Sequence, residues 1–376
     1  MSITFIHTAD WQIGKAFAGF PADVAAALRE ARLSAIDRIA EAAVRVGARH
    51  VLVAGDIFDA ETLAPKTVAQ AMARMARHGQ MTWHLLPGNH DAHRAGGLWE
   101  RLLRDGLPAQ VRPVLSTQPI EIEKEIWILP APLTGRATGS DPTLYMDTAA
   151  TPPGAIRIGL AHGSVRGFGS DQSAAVSLAL TRAASASLDY LALGDWHGMQ
   201  EVAPKTWYSG TPEPDRFVDN SPGHVLSVKV NGPGARPDVA PIRTAQFTWK
   251  RCVLNVAHGP VIAAMGAAIA ASGFAPHDTL LHLTLTGRVA AEQRQHIVNE
   301  LRRLEASHRH LDADLSGLTL ASTTTSLAQL DAAGDLKAVA ERLLARASDP
   351  AAPDAASAAE ALALLLDLEA ETRVAA

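Results

Sequence analysis

Five times before residue 199 this chain closes a short apolar run with glycine set beside Asp, Asn, Gln or His. Ile3 to His7 leads into Thr8-Ala9-Asp10-Trp11-Gln12-Ile13-Gly14, and His50 to Ala54 into Gly55-Asp56-Ile57-Phe58-Asp59. Thr82 to Leu86 leads into Pro87-Gly88-Asn89-His90-Asp91, Ile156 to Ala161 into His162-Gly163, and Leu188 to Leu193 into Gly194-Asp195-Trp196-His197-Gly198. Short runs bounded by Gly, Pro and Asp read as buried strands of an α/β layer fold. Ligands bind beyond the strand ends of such sheets, so the five polar segments are expected to meet at one edge. A single Gly-Asp after a strand is ordinarily a turn or a helix cap, and a lone Asn-His-Asp is often a turn. The joint occurrence in this order is what argues for a site. Carboxylate, amide oxygen and imidazole together suit divalent cations such as manganese, and glycine lets the backbone turn sharply beneath them. His7 reads as structural rather than as a ligand.

Between these strands the spacing predicts helices over Val24 to Val46, Pro65 to His78 and about Gly97 to Arg104, with further strands at Ile126 to Leu129 and Val225 to Val230. The Pro/Gly cluster Asn231 to Pro241 reads as a boundary closing a domain over 1–240. A small α+β domain over 246–322 follows, predicted as strand Arg251 to Ala257, an Ala-rich helix Val261 to Ala271, strand Thr279 to Thr286, helix Ala290 to His308 and strand Leu311 to Leu320. The tail, 326–376, holds two amphipathic helices, about Ser326 to Arg346 and Ala355 to Glu371, joined by Ser348 to Pro353. Their apolar faces need burial, against a partner or against their own chain.

The five segments resemble the signature of the calcineurin-like metallophosphoesterases: D-x-H, G-D, G-N-H-D, H, then G-H-x-H. The start HTADWQIG, the segment GDIFD and the run Tyr208-Ser209-Gly210-Thr211-Pro212 with Glu213 to Phe217 are similar to the DNA-repair exonuclease branch that contains the nuclease subunit of the bacterial SbcCD complex. The likeness covers about residues 1–230 strongly, and 246–320 by element order only. It implies a four-layer α/β/β/α sandwich with a small α+β capping domain and a helical tail that docks an ATPase. It also implies two divalent metal ions, manganese before magnesium. By that likeness Asp56 bridges the metals, Asp10, Gln12 and His197 hold the first, and Asn89, His162 and Asp195 hold the second. His90 faces the scissile phosphate as an acid, with Asp91 orienting its ring. Gln12 and Asp195 stand where the family has histidines, which favours hard cations over zinc and loosens the first metal.

Lys15, Arg94, Arg166, Lys205 and Arg216 flank these motifs and are expected to rim a DNA cleft, with Trp11, Trp99, Trp196 and Trp207 available to stack bases. The formal charge of −5 does not by itself advertise a nucleic-acid binder. Its acidity lies in the tail, where Asp331 to Ala376 carries 4 basic and 9 acidic residues, so a local basic rim stays compatible with phosphate binding. One cysteine, Cys252, excludes an intramolecular disulfide and fits a reducing cytoplasm, its expected state a buried inert thiol. No signal peptide and no apolar run of about 18 residues is found, so no membrane span is expected. The resemblance thus implies a nuclease cutting DNA, homodimeric and partnered with an SMC-like ATPase. The alternatives are a phosphodiesterase or phosphatase for a small nucleotide or phospholipid headgroup, and a non-catalytic scaffold of the same fold.

Overall fold

The computed structural model describes residues 1–166, 175–256, 263, 265–267, 275–289, 291–320, 335–349, 351–362 and 364–365. The chain divides into two compact units, Met1–Phe247 and Thr248–Ala376.

In the first unit the strands are β1 (Ile3–Thr8), β2 (His50–Ala54), β3 (Thr82–Leu86), β4 (Val111–Pro113), β5 (Ile120–Glu123), β6 (Ile126–Ala131), β7 (Ile156–His162), β8 (Ser164–Val165), β9 (Ser177–Leu178), β10 (Tyr190–Gly194), β11 (Gln200–Ala203), β12 (Thr206–Tyr208), β13 (His224–Val230) and β14 (Asp238–Arg243). One six-stranded sheet has the order β14-β13-β1-β2-β3-β4 and a second the order β11-β12-β10-β7-β6-β5. β1 to β4 run parallel, as do β6, β7, β10 and β12, while β13, β14, β5 and β11 each pair antiparallel with a neighbour. The predicted β2 and β3 match the observed spans; β10 starts at Tyr190, two residues later than expected.

Side-chain alternation explains the layering. On β2, Leu52 and Ala54 join Phe5, Ile158, Leu160, Tyr190 and Ala192 in a core drawn from both sheets. Val51 and Val53, one residue out of phase, face helices α1 (Ala22–Val46), α2 (Pro65–Ala76) and α3 (Leu98–Asp105) together with Ile36, Met72 and Trp99. Leu191 and Leu193 of β10 and Ala161 of β7 enter a third core on the outer face of the second sheet. Among the described residues only the four-residue α4 (Arg182–Ser185) and the 3₁₀ turn Leu144–Asp147 are helical there, so this outer layer is thinner than expected.

The Pro/Gly cluster does not close the unit. It turns a hairpin: β14 pairs with β13 from His224↔Arg243 to Lys229↔Asp238, and the unit runs on to Phe247. Composition marked the turn correctly; the strand after it, with its mixed polar pattern, gave no signal of pairing.

In the second unit β15 (Thr248–Asn255), β16 (Thr279–Val289) and β17 (His310–Leu320) form a parallel sheet of order β15-β16-β17. Helix α5 (Ala291–Ser307) buries Ile297, Leu301 and Leu304 with Leu281, Leu283, Leu285 and the free thiol of Cys252. The predicted Ala-rich helix Val261 to Ala271 falls mostly outside the described residues, as do the start of the first tail helix and the end of the second. What is described of the tail is α6 (Asp335–Ala347) and a helix over 355–362, which bury Ala340 and Leu362 with Leu343, Leu344 and Leu365 around them. Part of the tail's apolar surface is thus covered within this unit, while Leu336, Val339 and Leu364 remain 41%, 46% and 57% exposed. Among the described residues no helix is long and apolar enough to cross a membrane.

Candidate metal centre

The five polar segments leave the C-terminal ends of β1, β2, β3, β7 and β10, and the strand pairing brings those ends to one edge of the sandwich. Asp10, Asp56 and His162 each present a ligand atom within 4.8 Å of the other two, and all three are buried. The backbone is bent to put them there. Asp10, Gln12, Asp56 and Asp195 have φ of 54°, 49°, 54° and 105°, a region that non-glycine residues enter at a cost and that clusters at functional sites. Gly55 and Gly88 allow the close approach: a Cβ on Gly55 would lie 2.2 Å from His162 Nδ1, and one on Gly88 2.1 Å from Asp56 Oδ1.

His162 donates its Nδ1–H to the Ala54 carbonyl (2.8 Å), which aims Nε2 at Asp56 Oδ1 (3.6 Å) and Asp195 Oδ1 (3.8 Å). That Nε2 is buried without a hydrogen-bond partner, and so is Asn89 Oδ1. Asn89 lies between Gly88 and His90, whose backbone N–H donates to Asp56 Oδ1 (2.9 Å). The Asp195 backbone N–H donates to Asp10 (3.1 Å), and Ser164 Oγ–H donates to Asp195 Oδ2 (2.5 Å). Gln12 Nε2–H donates to Asp56 Oδ2 (2.8 Å).

The electrostatics describe a cluster short of positive charge. Burial pushes the Asp10 carboxyl up to about 6, against the opposing pull of His197 and His162. Burial and the neighbouring Asp56 raise Asp91 to about 7, in spite of backbone donors from Gly88 and Phe58. Burial alone would lower His162, but Asp56, Asp10 and Asp195 overcome it and raise the imidazole to about 9. Carboxylates this crowded take up protons unless a cation takes the protons' place. Two orphaned ligand atoms, a converging carboxylate pair and a cradle that only glycine permits fit a divalent cation held by Asp10, Asp56, Asn89 and His162.

Asp91 does not orient the His90 ring as expected. Its carboxylate accepts from the Gly88 and Phe58 backbone N–H groups (2.7 and 3.1 Å), so it builds the loop. The half-exposed ring of His90 donates its Nδ1–H to the Asp59 carbonyl (2.9 Å), with Nε2 3.9 Å from Asp56 Oδ2. His197 Nδ1 lies 3.1 Å from Asp215, a buried acid that sequence reasoning missed because a lone Asp after Pro looks like a turn residue. Ser164 and the Asp59 carbonyl were missed likewise, since neither has a sequence signal. His7 is structural: its ring nitrogens meet Tyr190 Oη (2.9 Å) and the Leu193 carbonyl (3.1 Å) in full burial.

The basic rim is reduced. Lys205 leaves it, because it sits before β12 and pairs with Asp189 (3.7 Å) at the start of β10, roughly 16 Å of strand from the site at about 3.3 Å per residue. Lys15 and Arg216 pair with Asp215 (2.5 and 3.1 Å), Arg94 with Glu61 (3.3 Å), and exposed Arg166 donates to Ser177 (2.9 Å). Trp11 and Trp99 are core residues, 2% and 0% exposed, and cannot stack on a substrate; Trp196, beside both Asp195 and His197, is 37% exposed.

A double β-sandwich with buried acids, an amide and imidazoles gathered at its parallel strand ends is the frame of a metal-dependent hydrolase. The family model for calcineurin-like phosphoesterases matches residues 3–199, more than half the chain, and the protein belongs to that family. Among solved structures, TT1561 of Thermus thermophilus is similar at 12% identity, with 65% of this chain and 100% of that chain covered and a TM-score of 0.40, a likeness too slight to carry an argument. No curated protein matches significantly.

Proposed function

We propose that this metal-dependent phosphoester hydrolase is a nuclease that cuts phosphodiester bonds in DNA, with manganese as its resident ion, as a homodimer working with an SMC-like ATPase. The observation that carries the hydrolytic reading is the convergence of Asp10, Asp56 and His162 with an unpartnered Nε2 and an unpartnered Asn89 oxygen beside them. Support for DNA comes from the HTADWQIG and GDIFD segments, the additional α+β unit, and exposed Trp196 next to the site. The tail helices, with Leu336 and Val339 exposed, support a protein partner.

Bound cations supply Lewis-acid charge to the phosphate oxygens and lower the pKa of water. The chain's own groups do the rest. Buried Asp56 and Asp10 would hold the cations with their negative charge, shielded from bulk solvent. His90, fixed through Nδ1 by the Asp59 carbonyl, presents Nε2 beside Asp56 and, when protonated there, can give that proton to the leaving oxygen.

A second reading, a small phosphodiester substrate, is favoured by the rim: Lys15, Arg216 and Arg94 are paired to acids of their own chain. Cleavage with manganese separates the two. A nuclease has a higher kcat/KM on oligonucleotides than on bis-p-nitrophenyl phosphate. Turnover of the small ester without DNA cleavage overturns the DNA reading, and an absence of bound metal with no turnover of either overturns both.

A further inference from the structure

We propose that Asp215 is a positioning residue that fixes the tautomer of His197 and so sets how tightly the first cation is held; this rests on reading His197 as a ligand. The Asp215 side chain is 1% exposed, and its Oδ1 lies 3.1 Å from His197 Nδ1. Its other oxygen lies 2.5 Å from Lys15 Nζ and 3.9 Å from the buried guanidinium of Arg32. Arg216 Nε lies 3.1 Å from Oδ1, so three cationic side chains surround the carboxylate. Asp215 is therefore an ionised acceptor.

A carboxylate can only accept, so the contact with His197 is a hydrogen bond only if Nδ1 carries the hydrogen. Arg216 Nη2 lies 3.0 Å from the same nitrogen, and a guanidinium can only donate. The two contacts exclude each other as hydrogen bonds. An unprotonated Nδ1 would set its lone pair against the carboxylate oxygen at 3.1 Å, whereas Arg216 still meets Asp215 through Nε–H and Nη2–H (3.1 and 3.3 Å) when Nδ1 carries the hydrogen, so the Nδ1–H form is favoured. With the hydrogen on Nδ1, Nε2 keeps its lone pair, the form in which histidine binds a metal. The opposite tautomer would carry a hydrogen where the cation must sit. Through Lys15, Asp215 also joins the loop bearing Asp10 and Gln12 to the loop bearing His197, so one buried acid registers both sides of the first-metal position.

The test measures metal affinity and tautomer rather than rate. In the full chain, manganese titration followed by electron paramagnetic resonance is expected to show Asp215→Asn weakening one ion by about 10- to 100-fold, the usual cost of a lost carboxylate behind a ligating histidine, and His197→Ala weakening the same ion at least as much. Asp215→Glu should recover most of the affinity. The double variant should be no weaker than His197→Ala alone. An Asp215→Asn effect that persists undiminished without His197 overturns the proposal, because Asp215 then acts through the fold. If His197→Ala leaves both affinities intact, the ligand reading itself fails. Nitrogen-15 imidazole shifts of the wild-type protein give an answer even if Asp215→Asn does not fold: Nδ1–H is expected, and Nε2–H overturns the proposal.

Discussion

His90 and Asp56 touch each other yet have separable duties. The Asp56 carboxylate is shared by the His90 backbone, the Gln12 amide and the Nε2 edge of His162, so its loss disperses the whole donor set. His90 projects into solvent from a carbonyl anchor and holds nothing else in place. His90→Ala is therefore expected to lower phosphodiester turnover by at least about 100-fold, the low end for a lost general acid, with metal content unchanged by elemental analysis. Asp56→Ala is expected to lose bound metal in that same measurement. The sequence motifs named both residues. They could not say that Asp91 builds the loop instead of steering the ring, because that depends on which backbone N–H groups lie within reach of a buried carboxylate.

At the scale of elements, the turns after β2 and β3 are the narrowest parts of the design. Gly55→Ala would bring a Cβ against the His162 ring and force an L-residue to φ 92°. The conformation alone costs about 1–2 kcal/mol. The variant is expected to melt earlier and to bind manganese more weakly, both measurable by thermal denaturation with and without metal. The strands supply a pH dependence as well. Burial holds His7 of β1 and His84 of β3 down at about 3, His84 with help from His50 and Arg112. Their ordinary value is 6.5, so the unfolded chain binds protons below that pH that the folded chain refuses. Their contribution is complete above 6.5 and lost as pH falls toward 3, with a limiting slope of about 1.4 kcal/mol per pH unit for each histidine. The melting temperature should drop between pH 7 and pH 5, and His84→Leu should make that drop shallower. An unchanged slope in the variant would mean that His84 is not neutral in the folded chain.

Over the whole molecule, every residue expected at the metal centre lies in Met1–Phe247, and so does the hydrogen-bonding that ties its end: Glu213 accepts from the Gln246 and Phe247 backbones. A chain ending at Phe247 is expected to fold, bind metal and turn over bis-p-nitrophenyl phosphate within a few-fold of the full protein, while losing affinity for DNA. Retained DNA affinity in a filter-binding or anisotropy measurement would place the DNA contacts wholly in the first unit.

The short apolar runs by themselves determined the alternation of strand and helix, because a strand buried on both faces must be continuously apolar and must end in residues that tolerate a sharp turn. They also marked Asp10, Asp56 and His162, which stand at those ends and converge in the structure. The tertiary structure alone decided what each group is bonded to. Asp189 and β10 draw Lys205 to the far pole, core packing claims Trp11 and Trp99, and β14 folds back across a turn that composition had marked as an end. Asp215 is the sharpest case. It is one aspartate after a proline in the sequence, and it becomes a partner of His197 only because residues 18 and 200 positions away fold onto it.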